Sequence, residues 1–188
     1  IVNIRSEKIL PKSVSPNTLC VELEHIGQGS GRLVGQSDAS QVDSSKHRFS
    51  TGDVLFGRLR SYLRKYWHAD GDGLCSTEIW PLVANPREVD AGFLFQLVQT
   101  ESFIDAASVS YGTHMPRADW TVLRSFEVLM PETVAEQQAI AQVLSDIDAE
   151  IEALEARVVK TRDIKQGMMQ QLLTGRIRLP IPAEETSP

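Results

Sequence analysis

Cysteine is nearly missing from this chain: Cys20 and Cys75 are the only two in 188 residues. They cannot form a disulfide framework and lack the close spacing of a zinc site. Both are expected to be reduced packing residues, in a chain that belongs in the cytoplasm. No stretch approaches the roughly 18 apolar residues of a membrane span, so no membrane partner is expected. The start, Ile1-Val2-Asn3-Ile4-Arg5, does not read as a secretion signal. His25, His47, His68 and His114 have no metal-ligand spacing.

Catalytic signatures are scarce too. Gly27-Gln28-Gly29-Ser30-Gly31 has the glycines of a phosphate loop without its Lys-Ser/Thr ending or the full Gly-x-Gly-x-x-Gly spacing. A surface loop is the simpler reading. Asp70, Asp72 and Glu78 suggest a metal nuclease, but Ile79-Trp80 follows where a lysine is needed, and Asp is common in glycine turns. Asn85-Pro86-Arg87 does not continue as an amino-methyltransferase motif. Cys75 and Ser76 have no identifiable base. The expectation is a non-catalytic chain with no cofactor and no metal.

What is present is enough for a core: 41% of residues are hydrophobic and 23% charged, which excludes a disordered chain. The net charge of −6 argues weakly against nucleic acid until its distribution is considered. Residues 1–130 hold 13 Lys and Arg against 15 Asp and Glu; residues 131–188 hold 6 against 10. The acid is concentrated in the tail. Arg58, Arg60, Arg64 and Lys65 fall within eight residues that include no acid.

Residues 134–174 organise the rest. Ile140, Leu144, Ile147, Ile151, Leu154 and Val158 recur at steps of four and three, the heptad seam of a paired helix. Thr133 and Glu136 make a capping box, and Thr174-Gly175 a stop. Such a helix spans about 60 Å, too long for one small domain to cover. Thr161 and Lys165 interrupt the seam and Gly167 weakens it, so residues 161–167 are expected to be weakened or kinked.

Before the helix, alternation predicts strands at residues 18–23, 54–59, 62–67, 74–83 and 126–130. Residues 36–46 read as a polar connection. Helical spacing marks residues 91–100, 102–107 and 118–123. The fold class is α+β: a head at 1–131, a long spacer helix at 132–179 and a flexible tail at 180–188. As part of one strand, Arg58 and Arg60 share a face, where their planar forks suit phosphate or guanine. From the residues alone, a DNA-binding head and a coiled-coil adaptor with a protein-binding head both remain open.

Four motifs carry a resemblance: GDVLFGRLRSYLRK at 52–65, DGLCSTE at 72–78, GTHMPR at 112–117 followed by Pro131 and EQQAIA at 136–141, and LLTGRIRL at 172–179. Together they resemble the specificity subunits of type I restriction–modification systems, in order over most of residues 18–180. Ser61 stands where such proteins often have proline. The resemblance implies a target-recognition domain that reads double-stranded DNA for a methyltransferase subunit and a restriction subunit. Family members carry two such domains joined by antiparallel helices, so this sequence looks like a half-length form, pairing with itself as a homodimer. Arg58, Arg60, Arg64 and Lys65, then Thr113, His114 and Arg117, are the expected DNA contacts.

Overall fold

The computed structural model describes residues 1–109 and 115–180. The chain divides into two compact units, Ile1–Val143 and Leu144–Pro188. Among the described residues the strands are β1 (Val2–Ile4), β2 (Lys8–Ile9), β3 (Leu19–Val21), β4 (Ser37–Asp38), β5 (Lys46–Phe49), β6 (Val54–Gly57), β7 (Tyr66–His68), β8 (Gly73–Ser76) and β9 (Ile79–Ala84). The helices are α1 (Ala91–Leu97), α2 (Glu101–Ser108), α3 (Trp120–Leu123) and α4 (Val134–Leu172). The class is α+β, as expected, with the long helix last.

Strand β6 lies between two cores because it is apolar on both faces. In the order β1-β9-β6-β7 it sits in a wholly antiparallel four-stranded sheet. Val54 and Phe56 point with Trp80 and Leu82 into a core closed by Leu94, Val98, Phe103, Ile104 and Leu123 of the helical layer. Phe56 meets Phe103 edge-on at 5.2 Å between centroids. Leu55 points the other way, with Trp67 and Ile79, onto Val21, Phe49 and Cys75 of the second sheet. That sheet has the order β2-β5-β8-β3-β4, antiparallel except for the β3–β8 pair. A period of two places alternate residues on opposite faces, so one apolar strand serves both layers.

Several expected strands differ. Residues 74–83 do not form one strand: β8 and β9 lie in different sheets, and Thr77-Glu78 turns the chain from one to the other. Apolar content cannot separate one strand from two when both are buried. Residues 62–67 begin as a 3₁₀ turn, Ser61–Leu63, and the strand starts only at Tyr66. Residues 126–130 form no strand; Phe126 and Met130 pack on the helical core as irregular chain. The polar connection ends in β5, whose Lys46 is buried against Glu22 at 2.5 Å.

The long helix follows its pattern closely. Thr133 Oγ1 accepts the Glu136 N–H at 3.2 Å. Gly175, at φ 71°, adopts the left-handed conformation that ends helices, and its N–H donates to the Leu172 carbonyl at 3.2 Å. At residues 161–167, expected to be weakened or kinked, α4 runs on unbroken through Gly167. One glycine costs about 1 kcal/mol in a helix, too little to interrupt one with many regular turns before it and more than one turn after it. The start of α4 belongs to the first unit, where Gln137 and Ala141 are buried. Gln137 Oε1 accepts the Asp90 N–H at 2.9 Å, and its Nε2 donates to the carbonyls of Glu88 and Pro131 at 3.1 and 3.2 Å.

Cys20 and Cys75 are both fully buried, and burial pushes both thiols above their ordinary range. The thiolate is the reactive form. The folded protein is therefore expected to resist an aromatic disulfide reagent at pH 8, and to release two equivalents per chain once unfolded in guanidinium. Rapid labelling of the native chain is the opposing result.

Candidate nucleic-acid interface

The site is built where three strands end together. Register pairs Gly57 with Ile79 and Phe56 with Tyr66. The loop at residues 58–65 and the Thr77-Glu78 turn therefore emerge from the same end of the four-stranded sheet. Gly57 fits closely there: a Cβ would come within 2.9 Å of the Leu23 side chain and 3.2 Å of the Lys65 Cβ. The Arg58 N–H donates to the Glu78 carbonyl at 2.9 Å, and the Arg58 carbonyl accepts from the Ala118 N–H at 2.8 Å. Arg60 N–H donates to the Pro116 carbonyl at 2.8 Å, and Gly29 N–H to the Arg64 carbonyl at 2.8 Å. Residues 28–29, 58–65, 77–78 and 115–118 thus share one end of the sheet.

The cations of this cluster differ in what they touch. Arg58 and Arg60 do not share a strand face, because β6 ends at Gly57 and Arg60, at φ 52°, turns left-handed. Arg58 lies half-buried, its guanidinium carbon 5.1 Å from the centre of the Trp80 ring. Its Nε is buried with no hydrogen-bond partner among the described residues. Lys65 donates from Nζ to the carbonyls of Leu23 and Ile26, each at 2.7 Å, and so anchors the turn that precedes the glycine loop. Arg60 is exposed. Arg64, also left-handed at φ 52°, is ion-paired with Glu101. The hydroxyl of Ser61 holds the loop to the end of α2, donating to the Ala107 carbonyl at 2.8 Å.

Arg117 faces Glu78. Its Nε lies 3.0 and 2.9 Å from the two carboxylate oxygens and its Nη2 2.7 Å from Oε1. These bonds hold the Glu78 carboxyl below the usual carboxylate range. Glu101 is depressed in the same way by Arg64. Thr113 and His114 lie outside the described residues. Sequence reasoning missed Glu78 and Glu101 as partners, since 39 and 37 residues separate them from their arginines and no local pattern links them. Asp72 instead accepts the N–H and hydroxyl of Thr51 at 2.8 and 3.2 Å. Among the described residues no three His, Cys, Asp or Glu gather as metal ligands do.

The family model of the type I restriction modification DNA specificity domain matches residues 30–160. The chain belongs to this family. The EcoDI type I restriction enzyme specificity subunit of Escherichia coli is 27% identical over 169 residues, which cover 86% of this chain and 37% of that protein. The MjaVIII specificity subunit of Methanocaldococcus jannaschii is 32% identical over 127 residues, covering 67% of this chain and 29% of that one. The chain therefore spans well under half the length of these relatives. The fold is similar to the crystal structure of the HsdS subunit from Thermoanaerobacter tengcongensis, with TM-score 0.67, 21% identity, and coverage of 97% of this chain and 48% of that one. A solved structure concerned with complex assembly and conformational transition of the type I R-M system is similar at TM-score 0.66 and 21% identity, with the same coverage. The α+β fold with a long helix is thus shared with solved specificity subunits. No helix among the described residues is long and apolar enough to cross a membrane.

Proposed function

We propose that this chain is the DNA-reading component of a type I restriction–modification complex, without catalysis of its own. In this reading residues 1–131 recognise one half of a split target. Residues 132–179 pair with a second copy, and residues 180–188 are a tail. A methyltransferase subunit and a restriction subunit act where the heads bind, in the cytoplasm. The observation that carries the reading is the cationic loop cluster at one end of the four-stranded sheet, in a chain of the specificity family.

Within that cluster the structure supports a division of labour. Arg60 is exposed and suits phosphate. Arg64 is half-exposed and meets Glu101 through Nη2, a surface pair of the kind that contributes little and exchanges readily. It can therefore turn to a phosphate where the doubly bonded Arg117–Glu78 pair cannot. Arg58 and Lys65 are committed to Trp80 and to backbone carbonyls, so they shape the loop. Thr113 and His114 remain proposed contacts by their place in the matching motif. In the complex reconstituted with its methyltransferase subunit, duplex binding should weaken as salt rises, because phosphate contacts release counterions. Changing Arg60→Ala and Arg64→Ala together should weaken all sequences alike and reduce the salt slope by roughly two. Fluorescence anisotropy over a salt series measures both. Unchanged affinity and slope would remove this face from the interface.

A further inference from the structure

We infer that Arg117, braced from the side by Glu78, reads a guanine in the target half-site. The inference rests on the DNA-reading function proposed above. A guanidinium carries five N–H donors in a planar fork. Here the edge formed by Nε and Nη2 is occupied by Glu78, at 2.7 to 3.0 Å. Nη1 has one long contact, 3.4 Å to the Met115 carbonyl. The tip of the fork therefore keeps one proton on each of Nη1 and Nη2, side by side. Two parallel donors at that spacing match O6 and N7 of guanine in the major groove.

Charge separates a base from a phosphate as the occupant. Glu78 is held ionised beside Arg117, so the pair is close to neutral and gains little from a phosphate anion. Directional bonds to an uncharged base edge survive that neutralisation. The side chain is 40% exposed, and the carboxylate fixes its plane. The backbone is held as well: Leu59 bridges Arg117, and the Arg60 N–H donates to the Pro116 carbonyl at 2.8 Å. Arg117 thus stands next to Arg60, whose exposed charge suits the neighbouring phosphate. Glu78 is a positioning residue in this arrangement, and Arg117 makes the base contact.

The test is selection from a random duplex library by the full chain assembled with its methyltransferase subunit. The wild type should select a motif with an invariant guanine. Arg117→Lys keeps the charge and loses the fork, and should relax that one position by about ten-fold, leaving the others unchanged. Glu78→Gln should relax the same position while tightening binding to random duplex, because a negative charge has left the interface. A merely structural role for Glu78 would not strengthen non-specific binding. Methylation of guanine N7 at that position should block the unaltered protein, a readout independent of how well the variants fold. Selection of an unchanged motif by both variants, or the absence of N7 interference, overturns the inference. So does uniform weakening by Arg117→Lys with a reduced salt slope, the mark of a phosphate contact. If the wild type selects no sequence at all, the DNA-reading function itself fails.

Discussion

Leu144→Asp together with Ile151→Asp is expected to leave the chain monomeric, where the unaltered chain is a dimer at tens of micromolar. Leu144, Ile147, Ile151, Leu154 and Val158 are 38 to 53% exposed and recur at heptad spacing. Ile140, one turn earlier, is already half-buried within the first unit, so the available seam begins at Leu144. Fully burying such a side chain contributes roughly 1.5–3 kcal/mol. These side chains are already about half covered by their own helix, so two substitutions in each of two chains remove roughly 3–6 kcal/mol of burial, and they place carboxylates in an apolar seam. That rivals the whole surplus a helical pair retains after the cost of association. Light scattering coupled to gel filtration decides it; a monomeric wild type would remove the homodimer. A closed homodimer has a two-fold axis and identical heads. Methylation mapping should then return an interrupted palindrome when this chain is the only specificity protein present. A continuous site, or two different half-sites, would contradict the symmetric pair.

Gln137→Ala should destabilise the first unit by about 2–4 kcal/mol in denaturant unfolding. The side chain is 1% exposed and its three bonds tie α4 to two segments: the N–H of Asp90 and the carbonyl of Glu88 before α1, and the carbonyl of Pro131. Truncation leaves three part-buried backbone groups without this partner at once. Gln137→Glu is the sharper variant. It keeps the acceptor for the Asp90 N–H, but it cannot donate and sets a carboxylate against two carbonyls at neutral pH. It should cost at least as much as Gln137→Ala despite its closer shape. If either variant unfolds at the wild-type midpoint, Gln137 is not the latch that its geometry describes.

Gln137 also shows how the molecule's logic is divided between levels. In the sequence it is one polar residue among several near a helix start, and nothing nearby marks it as buried. The helix itself was legible. Its seam, the Thr133 cap and the Gly175 stop are all local, and a helix needs only contacts three or four residues apart. The α+β class was legible for the same reason, since alternation and helical spacing are short-range patterns. The four motifs and the family model agree on the specificity family because they depend on residue order alone.

Tertiary structure decided everything that depends on which residues meet across long separations. It split one apolar stretch into β8 and β9 in two sheets, because each half finds its partners on a different layer. It also sorted the basic cluster. As a sequence, residues 58–65 are four equivalent cations. In the fold Arg58 lies against Trp80, Lys65 grips Leu23 and Ile26, Arg64 meets Glu101, and Arg60 stays exposed. Charge and spacing are properties of the chain; desolvation and hydrogen-bond partners belong to the packed state, and they set which cations face outward.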